Sequence, residues 1–475
     1  MSEKPLYSNF IDGRALGARD GATTDVVDPA TGRVFATAPA SGAVDVHNAV
    51  AAATHAFEGW RDSTPATRQR ALLRIADALE DNLDRLVAAE SWNTGKPLAP
   101  TRGIELEPAI DVLRYFAGAT RAGESPAGGE YLPGHTSMTR RESIGVVAHL
   151  LPWRYPLMLL LRKVAPTLAA GNTVVLKPAE STPATAGMFA EIAAEFLPPG
   201  VVNVICGGSE VGGNLVDHDG VDLITVTGSI AAGREIARTA ATRLKRTHME
   251  LGGKAPVVVF PDADLEAVAD TLVMAAFFNA GQDCMAASRV LVQSSVYDRL
   301  VSLVLSRLER IHTGPPSDPS AFYGPLNSSA HLRRVAGFLE RLPNHCALLT
   351  GGNQVGDQGY FFEPTVVSEV WQDDEIVQQE IFGPVLTVQR FTDEAGAVRM
   401  ANNVPYGLAA SVWTSDHARA LRMSKYLETG CVWINTHAML AAEMPIGGFK
   451  HSSTHQAGYG LDDYMQVKHV MSRME

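Results

Sequence analysis

The chain reads as an α/β protein built from two successive sets of βαβ units, and three observations predict this. Short β-branched runs alternate with helical stretches: SIGVVAHLLP (143–152), a helical stretch over 156–169, NTVVLKP (172–178), STPATAGMFAEIAAEFLP (181–198), VVNVICG (201–207), a helix near 209–217 and VDLITVTG (221–228). Strands separated by helices of that length argue for a parallel sheet. The alternation then restarts at APVVVF (255–260), so a second α/β unit follows the first. The length of 475 residues also exceeds the roughly 250–300 at which a single core stops growing.

Taken in order, residues 43–60 and 66–90 carry Ala/Leu/Glu/Arg-rich helical patterns, with Pro65 suited to a first helical turn. Segment 121–142, rich in Gly, Pro and Thr, predicts an extended excursion between the units. In the second unit a helix is expected after Asp262 and Asp264, a strand at 288–293, a helix at 295–312, and similar elements to about residue 436. No internal repeat is evident.

Hydrophobic residues at 46% and charged residues at 19% fit a globular enzyme. A net charge of −12 without a basic run argues against nucleic acid or an anionic membrane as partner. The N-terminal MSEKPLYSNFIDG lacks an apolar h-region, and runs such as Leu157 to Leu161 fall short of the roughly 18 residues a membrane span needs. Cys206, Cys284, Cys346 and Cys431 are scattered and show no metal-ligand spacing. Free thiols in a reducing cytoplasm, and no metal, are the expectation.

No G-x-G-x-x-G fingerprint follows a strand. Instead LITVT runs into Gly228-Ser229-Ile230-Ala231-Ala232-Gly233, which opens a helix. A helix N-terminus offers unpaired N–H groups to an anion, although a plain β–α turn reads equally well. Lys177 and Glu180 sit at the end of another strand, where open parallel sheets bind ligands, and suit the two hydroxyls of a ribose. Glu180 would repel a 2′-phosphate, favouring NAD over NADP. Cys284 follows a Gly-Gln-Asp turn, a setting that gives a thiol nucleophile exposure and backbone donors. Glu250, ahead of two glycines, is a candidate general base. Glu380 lies on a Gly-Pro turn, for which turn chemistry is the simpler reading.

Together these segments resemble the aldehyde dehydrogenase superfamily, in family order: PWRYP (152–156), GNTVVLKPAE (171–180), TGSIAAG (227–233), MELGGKAP (249–256), GQDC (281–284), EIFGPV (380–385), NTH (435–437) and MPIGGFK (444–450). Within it, GEYLPGHTSMTRRE (129–142), RTHMELGGKAPVVVF (246–260), FFNAGQDCMAA (277–287) and INTHAMLAAEMP (434–445) most resemble bacterial γ-aminobutyraldehyde dehydrogenases. The resemblance implies that Cys284 attacks an aldehyde and Glu250 activates the water that releases the acid. Lys177 and Glu180 would hold the adenosine ribose of NAD and Ser229, with Gly228 and Gly233, the pyrophosphate. Glu380 would hold the nicotinamide ribose, with Phe382 beside the ring. It also implies an NAD-binding domain (1–120 plus 144–252), a catalytic domain (253–450), and a small β segment (121–143 plus 451–475) joining a homodimer or homotetramer.

Three departures qualify that expectation. Arg154 stands where the family has the oxyanion-hole Asn, so it is expected either to donate to the oxyanion or to turn aside. Arg162 replaces a substrate-facing Trp. Both add positive charge, which points to an anionic or neutral polar substrate, with Glu107 and Asp111 as acids that pair with the arginines in place of a substrate amine, and Asp283 as a further residue expected to face substrate. The family's Ser-Gly-x-Gly becomes HSSTHQAGYG (451–460), placing the packing of the tail in question. The competing reading is a non-oxidising paralogue with a binding, assembly or acyl-transfer role, which Arg154 favours and the retained acids and thiol oppose.

Overall fold

The computed structural model describes residues 6–122, 128–453 and 460–474. Five parallel strands form the body of the first sheet, ordered Arg246–Glu250, Leu223–Thr227, Val146–Leu150, Thr173–Lys177 and Val202–Val204. Asn9–Ile11 and Arg14–Leu16 extend the far edge in antiparallel fashion. The chain enters at 146–150, winds outward to 202–204, then returns to the opposite side of its first strand with 223–227. That reversal opens a crevice at the carboxyl ends of 146–150 and 223–227, the place where such sheets take ligands.

Alternate residues of the strands feed opposite cores, as the period of two requires. Val174 and Leu176 pack with helices Pro65–Asp81, Glu107–Ala122 and Pro156–Ala169, whereas Val146, Ala148 and Val175 pack against helix Ala43–Arg61. The second sheet runs Ala347–Thr350, Thr365–Ser368, Val385–Phe391, Arg289–Gln293, Pro256–Val259, Ala409–Trp413, Cys431–Ile434. All its pairings are parallel except that of the edge strand 347–350. Its faces are covered by helix Leu265–Phe277, with Leu272 and Phe277 on Val290 and Val292, and by Met423 and Phe391 on Val258 and Leu291.

A third sheet stands apart from these two. His135–Ser143 pairs antiparallel with Met465–Arg473 through nine residue pairs, and Gly129–Leu132 adds a further strand. Tyr131, Val467 and Met471 are exposed on it. Residues 123–127 and 454–459, which belong to the expected β segment, lie outside the described residues.

Several boundaries differ from expectation for local reasons. The helical stretch 66–90 is two helices, Pro65–Asp81 and Leu83–Thr94, because Asn82 leaves helical geometry and its amide donates to Ala78 O at 2.8 Å. Thr64 caps the first, accepting from Thr67 N. The expected helix 181–198 is confined to Ala184–Ala193 by Pro183 at its start. Residues 121 and 122 close helix Glu107–Ala122, so they do not belong to the extended excursion. Among the described residues no helix is long and apolar enough to cross a membrane.

Candidate active site

The crevice of the first sheet is one wall of a cavity of about 210 Å³ lined by, among others, Trp153, Arg154, Ser229, Cys284, Glu380 and Phe382. The opposite wall comes from turns that precede strands of the second sheet, Cys284 before 289–293 and Glu380–Phe382 before 385–391. A larger hollow of about 390 Å³, between Leu305, Ile311, Leu349 and Pro364, contains no thiol. Cys284 lines the smaller cavity.

Cys284 is held by a turn with unusual backbone. Asn279, Ala280 and Gly281 all take positive φ (51°, 55° and 66°), a conformation that costs a residue with a Cβ of order 1–3 kcal/mol. Surrounding bonds fix it: Asn279 Nδ2 donates to Arg154 O (3.2 Å), while Gln282 Nε2 donates to Pro325 O (3.3 Å). Gly281 is required there, since a Cβ would lie 2.2 Å from Gly383 O. At Gly253 a Cβ would meet Cys284 O at 1.9 Å, so a glycine there lets two backbones touch beside Cys284. Burial pushes the Cys284 thiol well above the ordinary cysteine range, while the Arg154 charge opposes that rise.

Arg154 does not turn aside. Its guanidinium is buried, and Nη1 donates to Asp283 Oδ1 at 2.8 Å, one residue before Cys284. Despite burial, the negative groups around it hold Arg154 charged at all ordinary pH. The expectation that Glu107 and Asp111 pair with the new arginines is corrected: Glu107 is exposed and faces Arg102 at 3.8 Å. Among the described residues no ion pair joins either acid to Arg154 or Arg162. Helix geometry explains it, because both acids lie on the outer face of Glu107–Ala122 while Ile110 and Leu113 face the core. Arg162 is half-buried, and its Nε makes no hydrogen bond.

Glu250 ends its strand beside Thr227, whose hydroxyl donates to Glu250 Oε2 at 3.0 Å. It is buried and faces Lys163, whose amine burial pushes down and Glu250 partly restores. Glu380 accepts from Gly253 N–H at 2.9 Å, and burial raises its carboxyl to about 7. Phe382 (φ 61°) stacks edge-on against Trp153 at 5.4 Å and His331 at 6.0 Å. His331 donates Nε2–H to Phe382 O at 2.6 Å, and burial keeps the ring neutral by lowering its pKa to about 4.

The candidate dinucleotide residues lie along the carboxyl edge of the first sheet. Ser229 caps helix Ile230–Thr242, its Oγ accepting from Ala232 N, and Gly228 N–H donates to Glu250 O at 3.0 Å. Gly233 serves packing, since a Cβ there would reach Leu251 Cδ2 at 2.6 Å. Lys177 Nζ donates to Pro178 O at 3.1 Å. Glu180, exposed, sits so close to Gly208 that a Cβ would meet its Oε2 at 2.9 Å. The acid and the lysine thus face the start of helix Ser209–Asp217, beyond the residues that line the cavity.

Residues that sequence reasoning missed support the site from behind. Lys96 Nζ donates to Glu105 and to Arg154 O (3.3 Å), and burial holds Glu105 at about 7. Their partners are far apart in the chain, so no spacing signals them. Ser452, in the altered segment, clasps the Glu250 turn. Its carbonyl accepts from Leu251 N (2.8 Å) and its hydroxyl donates to Gly252 O (2.7 Å). That answers the question of packing for residues 451–453.

Fold and cavity together define a two-sheet α/β protein with a buried thiol opposite a nucleotide-type crevice. The Aldehyde dehydrogenase family model matches residues 17–470. An aldehyde dehydrogenase from Alternaria alternata is 38% identical over 98% of this chain and 95% of its own length. Among solved structures, an NAD-dependent aldehyde dehydrogenase from Sinorhizobium meliloti superposes with a TM-score of 0.96 at 36% identity, covering 99% of this chain and 95% of that one. Betaine aldehyde dehydrogenase from Staphylococcus aureus, solved in complex with NAD+, gives 0.96 at 34% identity, covering 98% and 95%. The chain belongs to the aldehyde dehydrogenase family and has its fold. It is an oxidoreductase of that class.

Proposed function

We propose that the protein oxidises an aldehyde to its carboxylate with NAD, using Cys284 as nucleophile and Glu250 as base. The single observation that carries this is the meeting of a buried thiol with a charged Arg154–Asp283 pair in a cavity that also holds Ser229 and Glu380. NAD fits the donor set: a helix N-terminus at Ser229 for the pyrophosphate, Lys177 with Glu180 for one ribose, and Glu380 for the other. When bound, it supplies the acceptor for the carbon-bound hydrogen and its electron pair.

The chain's own residues do the rest. Glu250 takes the Cys284 proton, sulfur bonds to the carbonyl carbon, and the π pair moves to oxygen. One of Arg154's five N–H donors is committed to Asp283, and the others serve the oxyanion in the role of an amide donor. After oxidation the carbon is held as a thioester. Glu250, having passed the Cys284 proton to solvent, then takes a proton from water, whose hydroxide adds to that carbon; the C–S bond breaks, the acid leaves, and the proton on Glu250 returns to sulfur. Trp153, Phe382 and His331, a neutral aromatic wall, limit water on the cofactor side.

Finer readings belong to the same proposal. The chain divides into an NAD part, the expected 1–120 plus 144–252 extended by helix Glu107–Ala122 to residue 122, a catalytic part at 253–450, and the remainder of 121–143 with 451–475, which serves a homodimer or homotetramer in the cytoplasm. Its apolar exposed face at Tyr131 and Val467 supports an assembly role for the last of these. The substrate carries an anionic or neutral polar group, a preference that rests on the positive charge Arg162 adds, since Arg154's charge is answered by Asp283. Such a substrate differs from the γ-aminobutyraldehyde type that the sequence motifs suggest. The non-oxidising alternative finds no support among the relatives.

Intact-mass analysis tests the core claim: an aldehyde with NAD should acylate Cys284 and yield reduced nicotinamide, and Cys284→Ser should do neither. Arg154→Ala should lower kcat/KM by about 10²–10³, the cost of an oxyanion donor, with partial recovery in Arg154→Asn. Glu180→Gln should narrow the preference for NAD over NADP. In direct competition, succinate semialdehyde should outrun 4-aminobutanal; the reverse order would remove the substrate proposal and leave the chemistry standing.

A further inference from the structure

The edge of the second sheet carries a cluster that the aldehyde chemistry does not use. His345 and Cys346 lead into the edge strand Ala347–Thr350, and Asp374 follows the neighbouring strand Thr365–Ser368 across a turn. One carboxylate oxygen, Asp374 Oδ2, accepts from three donors: Trp371 N at 2.6 Å, His345 Nε2 at 2.9 Å and Cys346 Sγ at 3.6 Å. One ligand-capable atom from each of His345, Cys346 and Asp374 falls within 4.8 Å of the others. The imidazole is held in place by stacking on Trp371, with ring centroids 3.9 Å apart and planes 11° from parallel. Asp374 is nearly buried and His345 about a quarter exposed, so the cluster has one side open to solvent.

We propose that His345, Cys346 and Asp374 form a binding site for a borderline-soft divalent cation of the zinc class. The donor set is nitrogen, sulfur and a carboxylate oxygen, which selects zinc-like ions over magnesium or calcium. Bonds of about 2.0–2.3 Å in a tetrahedron place ligand atoms about 3.2–3.8 Å apart. The observed separations of 2.9 and 3.6 Å need only a slight opening to reach that range. Binding replaces the two protons that now point at Asp374: the thiol proton leaves to solvent and the imidazole proton moves to the other ring nitrogen. Thiolate and carboxylate then balance the dication, and water from the open side completes the coordination. Because the ligands flank both strands at one end of the antiparallel pair, where Ala347 faces Ser368, the ion staples the edge strand 347–350 to its neighbour.

The test uses the full-length protein carrying Cys284→Ser, so that the active-site thiol is absent, titrated with Co²⁺ as a spectroscopic probe and with Zn²⁺. The expected result is a near-ultraviolet thiolate-to-cobalt charge-transfer band, displaced by Zn²⁺, and a rise in melting temperature with Zn²⁺. Adding Cys346→Ser should abolish the band and the thermal shift. Asp374→Asn, which keeps an acceptor for the Trp371 N–H, should fold normally and weaken the ion by about tenfold or more, as loss of a charged ligand does. No thiolate band, or a band that survives Cys346→Ser, overturns the proposal and leaves the cluster as a hydrogen-bonded clamp on the turn.

Discussion

The two sheets meet the same cavity from opposite ends. The first offers the carboxyl ends of 146–150 and 223–227 with a conventional helix N-cap at Ser229. The second offers the loops that enter its strands, with three consecutive positive-φ residues ahead of Cys284. A cofactor crevice at a topological switch point follows from chain winding alone, so its shape depends little on distant residues. Cys284 has no such rule behind it. Its position is over-determined by contacts from elsewhere: Gly253 against its carbonyl, Asp283 on Arg154, Asn279 on the Arg154 carbonyl. The lesson is that strain sits where chemistry needs a fixed atom, and regular geometry where a ligand needs only a dipole and space.

Substitution of glycine should show that contrast most sharply. Gly253→Ala puts a methyl where Cys284 O lies 1.9 Å away, and the resulting displacement of the nucleophile should cost on the order of 100-fold in kcat/KM with a lowered melting temperature. Gly228→Ala, where the nearest atom would be Val226 Cγ2 at 3.8 Å, should fold with unchanged stability. Equal damage at both positions would break the comparison.

The charge pair at the nucleophile gives a second, smaller effect with a sign. Arg154 lowers and Asp283 raises the Cys284 pKa against a background of burial. At fixed mildly alkaline pH, alkylation of Cys284 should therefore slow several-fold in Arg154→Asn and quicken in Asp283→Asn, read by peptide mass spectrometry. Shifts in the same direction would show that the variants act through access and not through charge.

Glu380 tests the same wall through pH. Burial holds its folded carboxyl near about 7 against an ordinary 4.5. Between those values the unfolded chain releases its proton first, so stability falls as pH rises through that window and levels off above it. Glu380→Gln removes this slope, and denaturant titrations should show the variant's advantage over the wild type growing from pH 4.5 to 7. The smallest effect belongs to the regular side: Ser229→Ala should cost about 1 kcal/mol as the loss of a helix cap, together with weaker NAD binding and unchanged thiol reactivity.

Much of this was legible in the chain. Alternating β-branched and helical runs located the helices 156–169 and 209–217 with their observed bounds, because periodicity and caps are local signals. The Gly228–Gly233 turn read as a helix start for the same reason. The antiparallel hairpin Thr23–Asp28 with Arg33–Pro39 was not seen, since neither strand carries a clean apolar alternation. Glu107 was misplaced because a helix position fixes the face of a residue only once its neighbours are known.

By itself the sequence determined the α/β class, the family, and the thiol and acids at its motif positions, since each is written in contiguous residues. Only the tertiary structure decided that Arg154 turns toward Asp283, that Lys96 and Glu105 brace its loop, that Ser452 clasps the Glu250 turn, and that His345, Cys346 and Asp374 converge. The physical reason is common to all four. Electrostatic pairing and hydrogen bonding act over a few ångströms in space between residues distant in sequence, and no periodicity along the chain records which of them folding brings within reach.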